Sequence, residues 1–129
     1  MASMCLFSQV RGVVRSQGQP VAQALVVREY RWAWKDETGS DQVTTNERGE
    51  FSLPPIVRSS FLGGLLPHEP SVKQRITIRY QGRDYEAWTL YKRNYDDQGE
   101  LKGRPIVLSC TLEAPVHESG DVRGICDLQ

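Results

Sequence analysis

The stretch Arg11–Val27, RGVVRSQGQPVAQALVV, limits the possible folds most sharply. Val13 and Val14 are β-branched, Gly18-Gln19-Pro20 punctuates, and Val21, Leu25, Val26 and Val27 resume the apolar pattern, so the stretch reads as strand, tight turn, strand. Gly12 and Ala24 are small residues inside apolar runs, which fits close backbone approach or a bulge. A second stretch, TTNERGEFSLPP from Thr44 to Pro55, repeats the theme. Asn46 three residues before Gly49 predicts a type I turn, and Pro54-Pro55 ends the short strand that follows because proline cannot donate to a ladder.

The remaining chain continues in strands. Residues 5–15 read as a first strand broken by Gly12. Residues 22–35 (AQALVVREYRWAWK) form the longest candidate, with Val26, Arg28, Tyr30, Trp32 and Trp34 on one face and Val27, Glu29, Arg31, Ala33 and Lys35 on the other. Residues 35–42 (KDETGSDQ) read as a polar loop. Ile56, Val57, Phe61 and Leu62 can share a helical face, which predicts a short helical segment near 57–64, ended by Gly63-Gly64. The proline-bounded segment Leu65–Pro70 crosses irregularly. Val72–Tyr80 and Asp84–Lys92 make a hairpin about Gln81-Gly82-Arg83, in which Tyr85, Ala87, Thr89 and Tyr91 alternate with Glu86, Trp88, Leu90 and Lys92. Residues 92–101 (KRNYDDQGEL) read as a second polar loop, Ile106–Leu112 as a last strand, and residues 114–129 as an irregular tail. About seven short strands with almost no helix predict a single all-β domain over residues 1–129, an antiparallel β-sandwich.

Acidic and basic residues balance at 16 each, so no field steers the chain toward nucleic acid or an anionic membrane. No apolar run approaches the roughly 20 residues of a membrane-spanning helix. The start, MASMCLFSQV, lacks the positive flank and the long apolar core of a signal peptide, yet it enters a strand almost at once. A leader removed ahead of Met-Ala-Ser would place the protein in the periplasm; otherwise the reading is cytoplasmic. Three cysteines permit one bridge, Cys110–Cys126 or Cys5–Cys126, against the alternative of three buried thiols.

Taken together, Gly12-Val13-Val14, Gly18-Gln19-Pro20-Val21, Ala24-Leu25-Val26 and Thr45-Asn46-Glu47-Arg48-Gly49-Glu50-Phe51 resemble the transthyretin-like (prealbumin-like) sandwich, also called the carboxypeptidase regulatory-like domain. In the second half, LLPHEP, the Tyr85/Trp88 hairpin and LKGRPIVLSC resemble a smaller bacterial family of such domains without an established activity. The resemblance implies an association with type VI secretion spikes and their toxin–immunity loci. One transthyretin-like branch hydrolyses 5-hydroxyisourate with paired histidines, an arginine and a C-terminal Tyr-Arg-Gly-Ser. This chain ends GDVRGICDLQ and lacks that tetrapeptide, which argues against the activity.

The residues themselves predict no catalytic group, metal or cofactor. His68 and His117 lie in a proline-flanked loop and a polar tail, without ligands at metal-binding spacing, and no cysteine has a histidine placed for nucleophilic catalysis. What remains is aromatic: Tyr30, Trp32 and Trp34, and Tyr80, Tyr85, Trp88, Tyr91 and Tyr95 about the hairpin. Most serve to pack sheets. Trp34 and Tyr95, beside charged loops, are candidate anchors for a partner protein, with Lys35, Asp36, Glu37, Arg93, Asn94, Asp96 and Asp97 as a polar rim. The expected function is non-enzymatic: an immunity or antagonist protein that neutralises a secreted antibacterial toxin, inserting 35–42, 65–70 or 91–101 into its cleft. A spike-associated adaptor and a carbohydrate-binding sandwich are the alternatives.

Overall fold

The computed structural model describes residues 2–60 and 66–129, which hold thirteen strands and one short 3₁₀ helix (Gly99–Leu101). The strands are β1 (Ala2–Phe7), β2 (Val10–Ser16), β3 (Gln19–Pro20), β4 (Leu25–Trp32), β5 (Glu37–Thr44), β6 (Glu50–Leu53), β7 (Ile56–Ser60), β8 (Val72–Tyr80), β9 (Arg83–Lys92), β10 (Ile106–Thr111), β11 (His117–Ser119), β12 (Val122–Gly124) and β13 (Cys126–Leu128). They form a sandwich-like all-β fold. One sheet runs β11-β12-β9-β8-β4-β5; the other runs β13-β10-β2-β3 with β6 also on β2; β1 and β7 make a separate ribbon. Pairing is antiparallel except for β10 beside β2, which is parallel.

Alternation puts Val26, Arg28, Tyr30 and Trp32 of β4 inside, with Val72, Gln74, Ile76 and Ile78 of β8 beside them. Val10 and Val14 of β2 and Ile106 and Leu108 of β10 supply the opposing layer, and Met4, Leu6 and Phe7 of β1 join the same core. The turn at Asn46 forms as its sequence requires. The Asn46 side-chain oxygen accepts from the N–H groups of Arg48 and Glu50, and Gly49 leaves at φ 74°. In β9 the regular alternation fails at Ala87, an extra residue between Glu86 and Trp88. The bulge buries Ala87 and Trp88 consecutively, then Leu90 and Lys92. Gly124 sits against it; a Cβ there would lie 2.2 Å from the Ala87 carbonyl oxygen.

Four expectations need correction. The predicted loop 35–42 is mostly strand β5, in unbroken register with β4. Its inward positions are satisfied rather than apolar: Gly39 lies under the Tyr30 ring, and Asp41 accepts from Arg28 Nε at 2.9 Å and Nη2 at 2.6 Å. Arg28, fully buried, also donates to the carbonyls of Pro54 and Ser8 and lies 4.9 Å from the Phe7 ring, so one guanidinium ties β5 to the corners of two other strands. The predicted helical segment near 57–64 is strand β7 over its described part, paired with β1; residues 61–64 lie outside the described residues. The predicted strand 5–15 is two strands, β1 and β2. The tail beyond residue 114, predicted irregular, holds β11, β12 and β13.

Candidate partner-binding surface

β4 stops at Trp32 because the chain turns at once. Residues 33–36 form a turn in which Asp36 N–H donates to the Ala33 carbonyl at 3.1 Å and Asp36 adopts φ 48°. The turn lifts Trp34 out of the ladder and lays it on His68, with ring centroids 4.0 Å apart and planes 7° apart. Behind it runs a chain of hydrogen bonds. Trp32 Nε1–H donates to the Tyr95 hydroxyl at 2.9 Å, the hydroxyl meets His68 Nε2 at 2.7 Å, and His68 Nδ1 meets the Leu66 carbonyl at 2.9 Å. A carbonyl only accepts, so Nδ1 carries a proton, and in that tautomer Nε2 accepts a hydrogen bond from the Tyr95 hydroxyl. Burial pushes the Tyr95 phenol up, opposed by the Trp32 N–H. The relay fixes four rings drawn from three separate segments.

Beside this cluster a cleft of about 530 Å³ is lined by Trp32, Lys35, Asp36, Glu37, Arg58 and Ser59. Lys35 Nζ lies 4.6 Å from the Trp34 ring. Asp36 accepts from Arg31 at 2.5 Å, and Glu37 accepts from the Tyr30 hydroxyl and from Arg58 Nε at 3.2 Å. Arg58 also donates to the Tyr30 hydroxyl at 2.9 Å. Burial, reinforced by the hydrogen bond to Glu37, pushes the Tyr30 phenol up.

Trp34, Lys35, Asp36, Glu37 and Tyr95 therefore meet in one place, with His68 and Arg58 beside them. The other candidate rim residues do not line that cleft. Asp97 lines a separate cleft with Arg11 and Pro105, while Arg93 and Asn94 face a third with Tyr91 and Lys102. The 92–101 segment is held down. Lys92 and Glu100 are both fully buried in their side chains, with Nζ and Oε2 3.8 Å apart. Lys92 donates to the carbonyls of Cys5 at 2.8 Å and Asp96 at 2.6 Å. Glu100 accepts from Ser8 N–H at 2.9 Å, the Ser8 hydroxyl at 2.6 Å and Gln74 Nε2 at 2.8 Å. Gln74 in turn accepts from Trp88 Nε1 at 3.0 Å. Every buried polar side-chain atom among the described residues has a partner.

His68 joined the cluster although its sequence surroundings mark only a loop. The signal that could have found it is the pair of flanking prolines, which fix a short segment against the sandwich end. Arg58 gave no signal, because it belongs to the strand read as helix. Of the two possible bridges, Cys110–Cys126 is formed, across the β10–β13 pair, and Cys5 is a buried free thiol. His117 is remote from His68: Nδ1 faces the Pro115 carbonyl and Nε2 lies 3.3 Å from Asp127. Among the described residues no group of three or more His, Cys, Asp or Glu is placed to share a metal ion.

The chain belongs to the family described as Domain of unknown function (DUF6795), whose model matches residues 10–115. The match begins at the first residue of β2 and ends before β11, so β1, Cys126 and the last three strands lie outside it. No curated protein and no solved structure matches the chain.

Proposed function

We propose that this member of the DUF6795 family acts by binding another protein, without catalysis, through the sandwich end that carries Trp34. One observation carries the reading: a half-buried tryptophan stacked on His68 sits on a defined turn, and its neighbours Lys35, Asp36, Glu37 and Arg58 ring an open cleft. A rigid aromatic anchor inside a charged rim is what protein interfaces concentrate their energy in. The resemblance to transthyretin-like modules of type VI loci supports the finer proposal. The partner is a secreted antibacterial toxin, and the protein is its immunity factor, presenting the turn at 33–36 and the 66–70 segment to the toxin's cleft. Asp36 and Glu37 then face basic groups there. The Cys110–Cys126 bridge supports an oxidising compartment, the periplasm.

The test is co-purification with candidate secreted toxins and rescue of cells expressing them. Wild-type protein captures one toxin at submicromolar Kd and rescues growth; Trp34→Ala folds but loses about 2 kcal/mol or more of affinity. Capture unaffected by Trp34→Ala would move the interface elsewhere, and the lack of any toxin binding below micromolar Kd would end the immunity proposal. Counting thiols in the denatured, unreduced protein should find Cys5 alone; three free thiols would remove the case for the periplasm. Hydrolytic activity lost on His68→Ala or Cys110→Ala in folded protein would overturn the non-enzymatic reading.

A further inference from the structure

The last strand of the six-stranded sheet is β5, and its outer edge has no strand beside it among the described residues. The ladder's phase shows what that edge presents. Thr45 N–H donates to the Ala24 carbonyl, and on the other flank of β4 Ala33 N–H donates to the Ser71 carbonyl. With the observed register, even-numbered residues of β4 therefore exchange bonds with Glu37, Gly39, Asp41 and Val43, and odd-numbered ones with β8. The N–H and C=O groups of Thr38, Ser40, Gln42 and Thr44 then point away from β4. These four carry short or neutral exposed side chains, and β5 contains no proline, no lysine and no bulge. Native sheets block a free edge with such devices. Of the further devices β5 has only inward carboxylates, Glu37 and Asp41, both paired within the chain, and along its eight residues the outer edge is unpaired among the described residues.

The surface next to it has a sign. On the outer face the register aligns Thr38, Arg31, Lys73 and Tyr91 in one row and Ser40, Glu29, Arg75 and Thr89 in the next. A hollow of about 360 Å³ just inside the edge is lined by Arg31, Lys73 and Arg75 with Glu29 as its one carboxylate. Arg79 and Arg123 on the same face are neutralised by Asp84 and Glu86, and Arg31 by Asp36, whereas Lys73 and Arg75 make no ion pair among the described residues. In a chain whose charges otherwise balance, this hollow is cationic.

We infer that β5 is a strand-addition site for an extended acidic segment of a partner protein. The segment would pair its backbone with Thr38, Ser40, Gln42 and Thr44. Alternate carboxylates would lie over the outer face, beside Arg31 on β4, where they would compete with Asp36, and in the positive field of Lys73 and Arg75 on β8. A second copy of this chain is the poorer occupant, since edge-to-edge pairing of two β5 strands would join two cationic faces. The inference deepens the reading of the protein as a protein binder and rests on it; the edge begins at Glu37, in the cleft beside Trp34.

The probe is an acetylated, amidated octapeptide alternating threonine and glutamate, followed by amide hydrogen exchange of the whole protein. Exchange should slow at Thr38, Ser40, Gln42 and Thr44, with no change at Gly39 and Asp41, already bonded to β4. The lysine-for-glutamate peptide should bind about tenfold more weakly, and Arg75→Glu should cost the glutamate peptide a similar factor. Ser40→Pro removes one outward N–H without touching the β4 ladder and should abolish protection. A glutamate peptide N-methylated at alternate residues asks the same question of unaltered protein and should not bind. Equal binding of the lysine or N-methylated peptide, no protection, or protection that grows with protein concentration alone would overturn the inference. Because the readout needs no toxin, it stands or falls separately from toxin capture.

Discussion

KDETGSDQ (35–42) and KRNYDDQGEL (92–101) are near twins in composition, both polar and charged, and the fold uses them in opposite ways. The first supplies a turn and most of an edge strand, with charges at its surface or half-buried beside Arg28 and Arg58. The second folds back on β1, and its terminal charges, Lys92 and Glu100, are among the most deeply buried groups in the molecule. What differs is the supply of fixed partners. Ser8, Gln74 and the Cys5 carbonyl await the second segment inside the sandwich; among the described residues the outer edge of β5 meets no strand. Polarity in a sequence thus says that partners are needed, and the fold decides whether they come from the chain or from outside.

If that contrast is right, the largest effect belongs to the buried segment. Glu100→Ala leaves the Ser8 N–H and hydroxyl without an acceptor, takes one of two acceptors from Gln74 and leaves the buried Lys92 without a counter-charge, and should cost about 3–5 kcal/mol, a fall in Tm of roughly 10–20 °C. Urea unfolding of Glu100→Ala, Lys92→Met and the double variant should give strongly non-additive losses; additive ones would mean that the two charges do not act together. Next comes the tail: Cys110→Ser with Cys126→Ser should remove about 3 kcal/mol, matched by reductant on the wild type. Gly39→Ala, whose Cβ would sit 2.6 Å from the Tyr30 ring, should cost about 1–3 kcal/mol and loosen β5 in hydrogen exchange. Smallest is Asp36→Asn, which breaks the exposed pair with Arg31 and should change stability by no more than about 0.5 kcal/mol. A cost near that of Glu100→Ala would erase the distinction between the two segments.

Much of the sandwich was legible because its strands follow period two. Val26, Arg28, Tyr30 and Trp32 fall on one face in the sequence and in the fold, and Asn46–Gly49 turns as its side chains demand. The same periodicity puts Arg28 on a face with aromatics and Lys92 on one with Trp88 and Leu90, but nothing in the sequence reading marks either charge as buried. The partners of the buried charges were not legible: Glu100 finds Ser8 across 92 positions. The strand nature of β5 was hidden because its inward side chains are Glu37, Gly39, Asp41 and Val43, acceptable inside only because Arg58, Tyr30 and Arg28 complete them. The candidate surface was half legible. Trp34 to Glu37 are contiguous and were singled out, while His68 and Arg58 reach them only through the third dimension.

The buried thiol of Cys5 has a consequence for how the chain acquires its covalent bond. As the polypeptide is made, Cys5 and Cys110 are the first two sulfurs available, yet the native bond joins the second and third. Oxidation in order of appearance would therefore give the wrong product. In the finished fold the bridge joins the two cysteines that the β10–β13 register sets face to face, while β1 holds Cys5 in the interior beside the Ser8 hydroxyl.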